Sequence, residues 1–402
     1  MAPNGIGLEA FWRTLLAGQS GVGVITLFDA SRHPCCIAGE VSDFDPSRHL
    51  PEGINSKRLA RHTQLALAAA HLALQDAGLN ADGKFSETDD VSLILGVSSS
   101  AFDVIELGKD RMTAHGPDRV PSHSVDACQP HQAATVVTRY MPFITHAVTI
   151  SSACAAGLDA IATASDWVRA GRTTIALTGG ADAPVNPLAM AFLAKGGLVS
   201  VHPMTNPATA SRPFDRDRDC GVIAEGAGVV VMETVECALA RGVRPYVEIL
   251  GYSTHMDTDL RMPGSGLEVT MREALANAGL LPQAIRYISA HGPGHPVMDR
   301  VETEAIKRVF GPCAAQIPIS SIKGVTGNPL AAGGALQLIA CCLAARYGII
   351  PPTSNLEHPD EGCDLDYVPI EPRRSRITTM LINSHGLGGG NSSMVIKAWA
   401  TP

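Results

Sequence analysis

Apolar residues recur along this chain in two rhythms that take turns. One is helical, with apolar side chains three and four residues apart; the other is a short run of aliphatic and β-branched residues. Helical spacing predicts helices over residues 7–18 (GLEAFWRTLLAG), 58–79 (RLARHTQLALAAAHLALQDAGL), 266–280 (GLEVTMREALANAGL) and 328–348 (NPLAAGGALQLIACCLAARYG). Strand-like runs fall at 91–100, 173–184 and 226–234, in PYVEILGYSTH and IRYISAHGPG, and as a pair around a glycine loop in 375–400. Strands alternating with helices predict parallel or mixed sheets covered by helices, an α/β class. The order of elements is roughly alike before and after residue 235. Two similar halves, 1–235 and 236–402, are therefore expected, with no linker and no residue-level repeat between them. The stretch 351–369 (PPTSNLEHPDEGCDLDYVP) reads as a polar, proline-rich surface loop.

Composition narrows this picture little. The chain has 402 residues, 45% hydrophobic, enough for one large core or two medium ones. Abundant glycine (39) and scarce aromatics (4%) suit close backbone packing in an α/β protein better than an all-β sandwich. A net charge of −8 argues against a nucleic-acid footprint. The ten cysteines show no CxxC pair and no metal-finger spacing. Nothing resembles a signal peptide or a membrane span, so a reducing cytoplasm is the expected location.

Candidate chemistry sits where these rhythms break. In TISSACAAGLDAIATASDWVRAG, the run HAVTI reads as a short buried strand, and the residues after Cys154 carry helical spacing. Cys154 then lies at a strand-to-helix turn, where unpaired N–H groups and the positive end of the helix dipole favour a thiolate. Its small neighbours, Gly157 among them, would let a substrate approach. A buried structural cysteine fits the local pattern equally well. Three further loops carry polar groups. His291 follows a buried strand and precedes Gly292 and Gly294, with Asp299, Glu302 and Glu304 on the next helix start. It reads as a cleft residue or a structural histidine. Lys323 lies between an apolar run and a glycine turn, and Asn328 is a good N-cap for the helix that follows. In NSHGLGGGNSS, glycines at 386 and 388–390 imply unusual backbone angles and close approach to a ligand. No P-loop lysine is present there, and a strand rather than a helix follows, which disfavours a nucleotide site.

Taken in order, these segments resemble the β-ketoacyl-acyl carrier protein synthase (ketosynthase) family of condensing enzymes. The resemblance rests on PNGIGLEAFWRTLLAGQSGVGVITLFDAS, SACAAG, SRPFDRDRD with EGAGVVVMET, AHGPGHPVMDRVET, IKGVTGN and HGLGGGNSS, and it covers nearly the whole chain. It implies a thiolase-like fold of two similar halves in a five-layered α-β-α-β-α arrangement. Cys154 would take an acyl group from an acyl carrier protein, and a malonyl unit would lose CO₂ and attack the thioester. His291 would assist decarboxylation, Lys323 and Glu302 would pair and order the site, and N–H groups at Cys154 and in the 386–390 loop would form an oxyanion hole. His385, Leu387, Gly388 and Gly389 would border the substrate. The resemblance further implies a homodimer, or a heterodimer with a ketosynthase-like subunit, and needs no cofactor or metal.

This chain departs from the family pattern at several points. Asn328 stands where the family has a second histidine. Pro293 and His295 replace threonines, and His385 and Leu387 replace phenylalanines, the second of which normally gates the acyl pocket. The family's first strand would precede PNGIG, so a central strand is expected to be missing. Asparagine donates an N–H to an oxyanion as histidine does. Decarboxylative condensation, acyl transfer or hydrolysis without elongation, and a non-catalytic partner subunit are the three readings that follow.

Overall fold

The computed structural model describes residues 1–79, 90–99, 101–201, 206–259 and 261–399. Ser100 and Ala400, which end two of the expected strand segments, lie outside them. Four strands build the first sheet: β1 (Val91–Gly96), β2 (Ile144–Ile150), β3 (Ile175–Asp182) and β4 (Gly226–Glu233), in the order β2-β1-β3-β4. The first three run parallel, and β4 is antiparallel to β3. Five strands build the second: β5 (Val247–Met256), β6 (Tyr287–Ser289), β7 (Ile319–Ser320), β8 (Thr379–Gly386) and β9 (Gly390–Ala398), in the order β5-β9-β8-β6-β7.

Helices cover both faces of both sheets. Helix α1 (Arg61–Asp76) lies on the outer face of the first sheet, while α2 (Ala156–Arg169) packs on its inner face. The outer face of the second sheet carries α3 (Leu267–Asn277), against which α4 (Pro296–Phe310) packs. Helix α5 (Ala332–Tyr347) shares the middle layer with α2 and touches β4 and β8. The result is the expected α-β-α-β-α order. Alternation in the strands builds it: Met380, Ile382, Met394 and Ile396 join the middle core, and Leu381 and Val395 the outer one. Strands β1 and β3 are buried along their whole length, which is why their sequences read as continuous apolar runs. No helix among the described residues is long and apolar enough to cross a membrane.

Four expectations change. The strand containing HAVTI is an edge strand, with Thr145, His146 and Ala147 exposed; apolar composition did not distinguish an edge from a centre. The stretch 351–369 is largely an interior segment. Tyr367 is buried and stacks on Phe214 with centroids 3.9 Å apart, and Asp360 accepts from Arg218 (3.0 Å) and Arg300 (2.7 Å). Asp360 is spent on these internal ion pairs, while Glu357, His358, Glu361 and Asp364 stay exposed. Third, the position filled by β5 beside β9 has no strand counterpart beside β4 among the described residues. That place is an edge of the sheet, not its centre. There Met1 pairs with Ala227, each N–H donating to the other's carbonyl (3.0 and 2.9 Å). Last, Gly157 does not clear space for a substrate. A Cβ there would lie 2.1 Å from the Ala331 carbonyl oxygen, so glycine is needed for the turn before α5 to cross α2.

Candidate active site

The turn between β2 and α2 holds Cys154 in a constrained backbone. Ala153 has φ +53°, a left-handed conformation that costs an L-residue about 1 kcal/mol or more. The C-terminal end of β8 then passes across this turn. A Cβ on Gly386 would sit 2.6 Å from the Ser152 carbonyl oxygen and 3.3 Å from the Cys154 nitrogen, so only glycine allows the approach.

Four consecutive residues at that end of β8 join the two halves. The Ser384 hydroxyl donates to the Cys154 carbonyl (3.2 Å). The His385 N–H donates to His291 Nδ1 (3.2 Å). Gly386 provides the close approach. The Leu387 N–H meets the Cys154 sulfur, as does the N–H of Cys154 itself. Two backbone N–H groups thus converge at the Cys154 sulfur.

Burial pushes the Cys154 thiol up to about 11; the Leu387 N–H and Lys323 pull it down, and Asp182 pushes it further up. The helix terminus that was expected to favour a thiolate does not prevail: α2 begins two residues later, and desolvation of the sulfur outweighs its field. The resting sulfur is a protonated thiol at neutral pH. Alkylation of Cys154 by iodoacetamide, followed by intact mass, should consequently rise close to tenfold per pH unit from pH 6 to 8 without a plateau. A plateau below pH 7 would contradict a raised thiol.

His291 lies at the end of β6 and is buried. Burial, then the neighbouring Lys323 and His385, hold its imidazole well below the usual histidine range, so it is neutral. Because Nδ1 accepts the His385 N–H, the ring proton resides on Nε2. His291 is thus set as a donor, not a base. Its peptide is held from both sides. The His291 and Gly292 N–H groups each donate to the Glu302 carboxylate (2.9 Å), and Lys323 Nζ donates to the His291 carbonyl (2.5 Å). Lys323 and Glu302 come together as expected, but through this peptide; no ion pair within 4 Å joins them directly. Asn383 Nδ2 also donates to Glu302 (3.1 Å). Burial lowers Lys323 to about 8 and the Glu302 charge partly offsets that.

Asn328 is not a helix cap. Helix α5 starts at Ala332 with no side-chain cap, and the N–H of Ala331 donates instead to Asp182 (2.7 Å). The backbone of Asn328 is used in a bridge with Ile223, its N–H donating to the Val222 carbonyl (2.7 Å) and its carbonyl accepting from Ala224 (2.9 Å). Its Oδ1 is buried without a hydrogen-bond partner. Leu330, two residues on, shares one apolar cluster with Cys154, Val185, Met190 and Val199.

The remaining expected residues line the hairpin between β8 and β9. His385 Nδ1 bonds Asn391 Oδ1 (2.9 Å), and Asn391 Nδ2 donates to Asp257 (2.8 Å). Gly388 and Gly389 adopt φ +91° and +94° at the tip. Leu387 is 65% exposed, so the gate position holds a side chain turned to solvent. Of the other acidic candidates on α4, Asp299 holds the loop by accepting from Phe214 (2.8 Å) and Gly294 (3.2 Å), whereas Glu304 reaches only Lys307 at the surface. Sequence reasoning passed over Ser384, Asn383 and Asp182. The first two were visible as polar residues inside an otherwise apolar strand, LINSHG.

The sequence model of the β-ketoacyl synthase N-terminal domain matches residues 1–238, and that of the C-terminal domain matches residues 246–357. The chain is 37% identical to the tetracenomycin polyketide synthase ketoacyl synthase alpha subunit of Streptomyces glaucescens, covering 98% of this chain and 94% of that protein. It is 34% identical to a 3-oxoacyl-[acyl-carrier-protein] synthase 2 of Synechocystis, covering 99% and 96%. Among solved structures, the ishigamide ketosynthase/chain length factor superposes with TM-score 0.90 at 32% identity, covering 99% and 97%. A type II polyketide ketosynthase solved with its acyl-carrier protein, bound to the hexaketide, gives 0.88 at 33%, with the same coverage.

Proposed function

Because the chain belongs to the β-ketoacyl synthase family, we propose that it is a condensing enzyme of fatty-acid or polyketide biosynthesis, working on acyl and malonyl thioesters of an acyl carrier protein. The observation that carries this reading is the end of β8, where Ser384, His385, Gly386 and Leu387 bind Cys154 and His291 into one site. In the first step the Cys154 sulfur attacks the acyl thioester, and the carrier's thiol leaves with the proton that the sulfur gives up. The Cys154 and Leu387 N–H groups hold the oxyanion. In the second step the malonyl thioester breaks its bond to the carboxylate and releases CO₂. His291 Nε2–H and the Asn328 amide donate to the enolate oxygen. The carbanion attacks the acyl carbon, and the Cys154 sulfur departs as thiolate. Lys323 and Glu302 hold the His291 peptide throughout. The partner reading, an acyl carrier protein and a second ketosynthase-like subunit, follows the relatives solved with such partners. Asn328 in place of the family's second histidine favours one other reading, acyl loading without elongation.

The test is incubation of the pure protein with an acyl carrier thioester and malonyl carrier, reading intact mass, CO₂ and product. Acyl adduct with CO₂ and extended product supports condensation; adduct without CO₂ supports the non-elongating reading; no adduct overturns both. Under the same conditions His291→Ala should keep loading within about tenfold and lower condensation about 10²-fold or more, since His291 is a donor rather than the thiol's base. Equal loss of both steps would show that His291 activates the thiol.

A further inference from the structure

The two N–H donors at the Cys154 sulfur come from different halves of the protein. One belongs to the Ser152–Cys154 turn, the other to the β8–β9 hairpin. Their separation is therefore set by how the hairpin is seated on the turn. Helix α2 provides a clamp for that seating. Asp159, in its first turn, accepts the Ser152 hydroxyl at Oδ2 and the Ser392 hydroxyl at Oδ1. Ser152 lies two residues before Cys154. Ser392 lies in β9 directly opposite Ser384, whose hydroxyl donates to the Cys154 carbonyl. One carboxylate thus holds one serine from each loop that carries an oxyanion donor.

We propose that Asp159 is a positioning residue for a two-donor oxyanion hole, fixing the Cys154 N–H and the Leu387 N–H relative to each other through Ser152 and Ser392. The proposal rests on the reading of Cys154 as the acyl acceptor. Neither serine needs to touch substrate. A carboxylate suits this place because α2 offers its positive end there, and because its two oxygens receive one hydroxyl each. Errors of about 1 Å in such donors cost about 10²-fold in rate.

Asp159→Asn keeps the shape of the side chain and replaces one acceptor oxygen by a donor. Acylation of Cys154 by an acyl carrier thioester should fall about 10- to 100-fold in this variant. Alkylation by iodoacetamide, which expels iodide and develops no oxyanion, should fall by no more than a few-fold, through the weaker Leu387 N–H contact at the sulfur. The thioester carbonyl band of the isotope-labelled acyl enzyme, shifted down in the wild type by the two N–H donors, should move back up. Ser392→Ala should reproduce part of the effect, and adding it to Asp159→Asn should cost little more. Unchanged acylation with an unchanged carbonyl band would overturn the proposal. So would equal loss of acylation and alkylation, which would place Asp159 in the thiol environment or the fold instead. A wild type that forms no acyl enzyme overturns the proposed function itself, and this inference with it.

Discussion

Cys154→Ala should abolish the acyl adduct and lower product formation at least about 10⁴-fold, because no other group can replace a covalent nucleophile. The competing thiols lack the setting. Cys36 is exposed, and its sulfur faces the carbonyls of Ala30 (3.2 Å) and His33 (3.5 Å) rather than amide N–H groups. Cys128 faces the Val125 carbonyl at 3.8 Å and accepts from the Gln129 side-chain amide, an exposed group, at 3.6 Å. Cys220 is buried against the Gly197 carbonyl with one backbone N–H, that of Gly221, at its sulfur, and is raised by that burial to about 11. Cys154 has the same raised thiol but, unlike these, two N–H donors at the sulfur. What distinguishes it is therefore stabilisation of the tetrahedral state, not a more abundant thiolate. Cys154→Ser, with a hydroxyl in the same place, should accept acyl groups far more slowly than wild type yet detectably more than the alanine variant. An adduct that persists on Cys154→Ala, mapped by peptide mass to any other cysteine, would refute the assignment.

The helices and strands that were predicted were legible because each answers to one periodicity; the helices Phe102–His115, Gln132–Tyr140 and Pro187–Lys195 were not singled out. Middle-layer residues such as Leu158, Ile161 and Leu336 recur at helical spacing, and β8 alternates Met380, Leu381, Ile382 between two cores. The order of small-residue loops told which family the chain resembles, and so which of them would meet. What the sequence could not convey was partnership at a distance. Whether HAVTI was an edge or a centre depends on its sheet neighbours, and the burial of 351–369 depends on Arg218 and Arg300. Asp159 was not singled out in the sequence at all; its place depends on Ser392, more than two hundred residues away. The thiol illustrates the same gap in energetic terms. A helix terminus is visible in sequence, but the desolvation that overrides it is a property of everything packed around the sulfur.

Asn328→Ala should lower condensation about 10²- to 10³-fold, the cost of losing one donor to a developing oxyanion, while acyl loading changes by no more than a few-fold. The thermal midpoint should hold or rise. A capping residue would predict the opposite, since loss of an N-cap costs about 1 kcal/mol, yet α5 begins at Ala332 without a side-chain cap. The Asn328 Oδ1 atom is buried with no partner, and such an atom costs about 1–3 kcal/mol. Deleting it removes a penalty rather than a bond. Asn328→Ser shortens the reach of the donor and should lose most of the condensation activity; full activity would refute the role. Asn328→His separates the two remaining readings. If the wild type condenses, histidine should change the rate modestly, because one N–H donor replaces another. If the wild type only loads acyl groups, malonyl carrier will release no CO₂, and histidine at 328 should restore release, with His291 already present as the first donor. Failure of Asn328→His to release CO₂ in that case would move the block away from position 328, to His385 or Leu387, two of the other places where the chain leaves the family pattern.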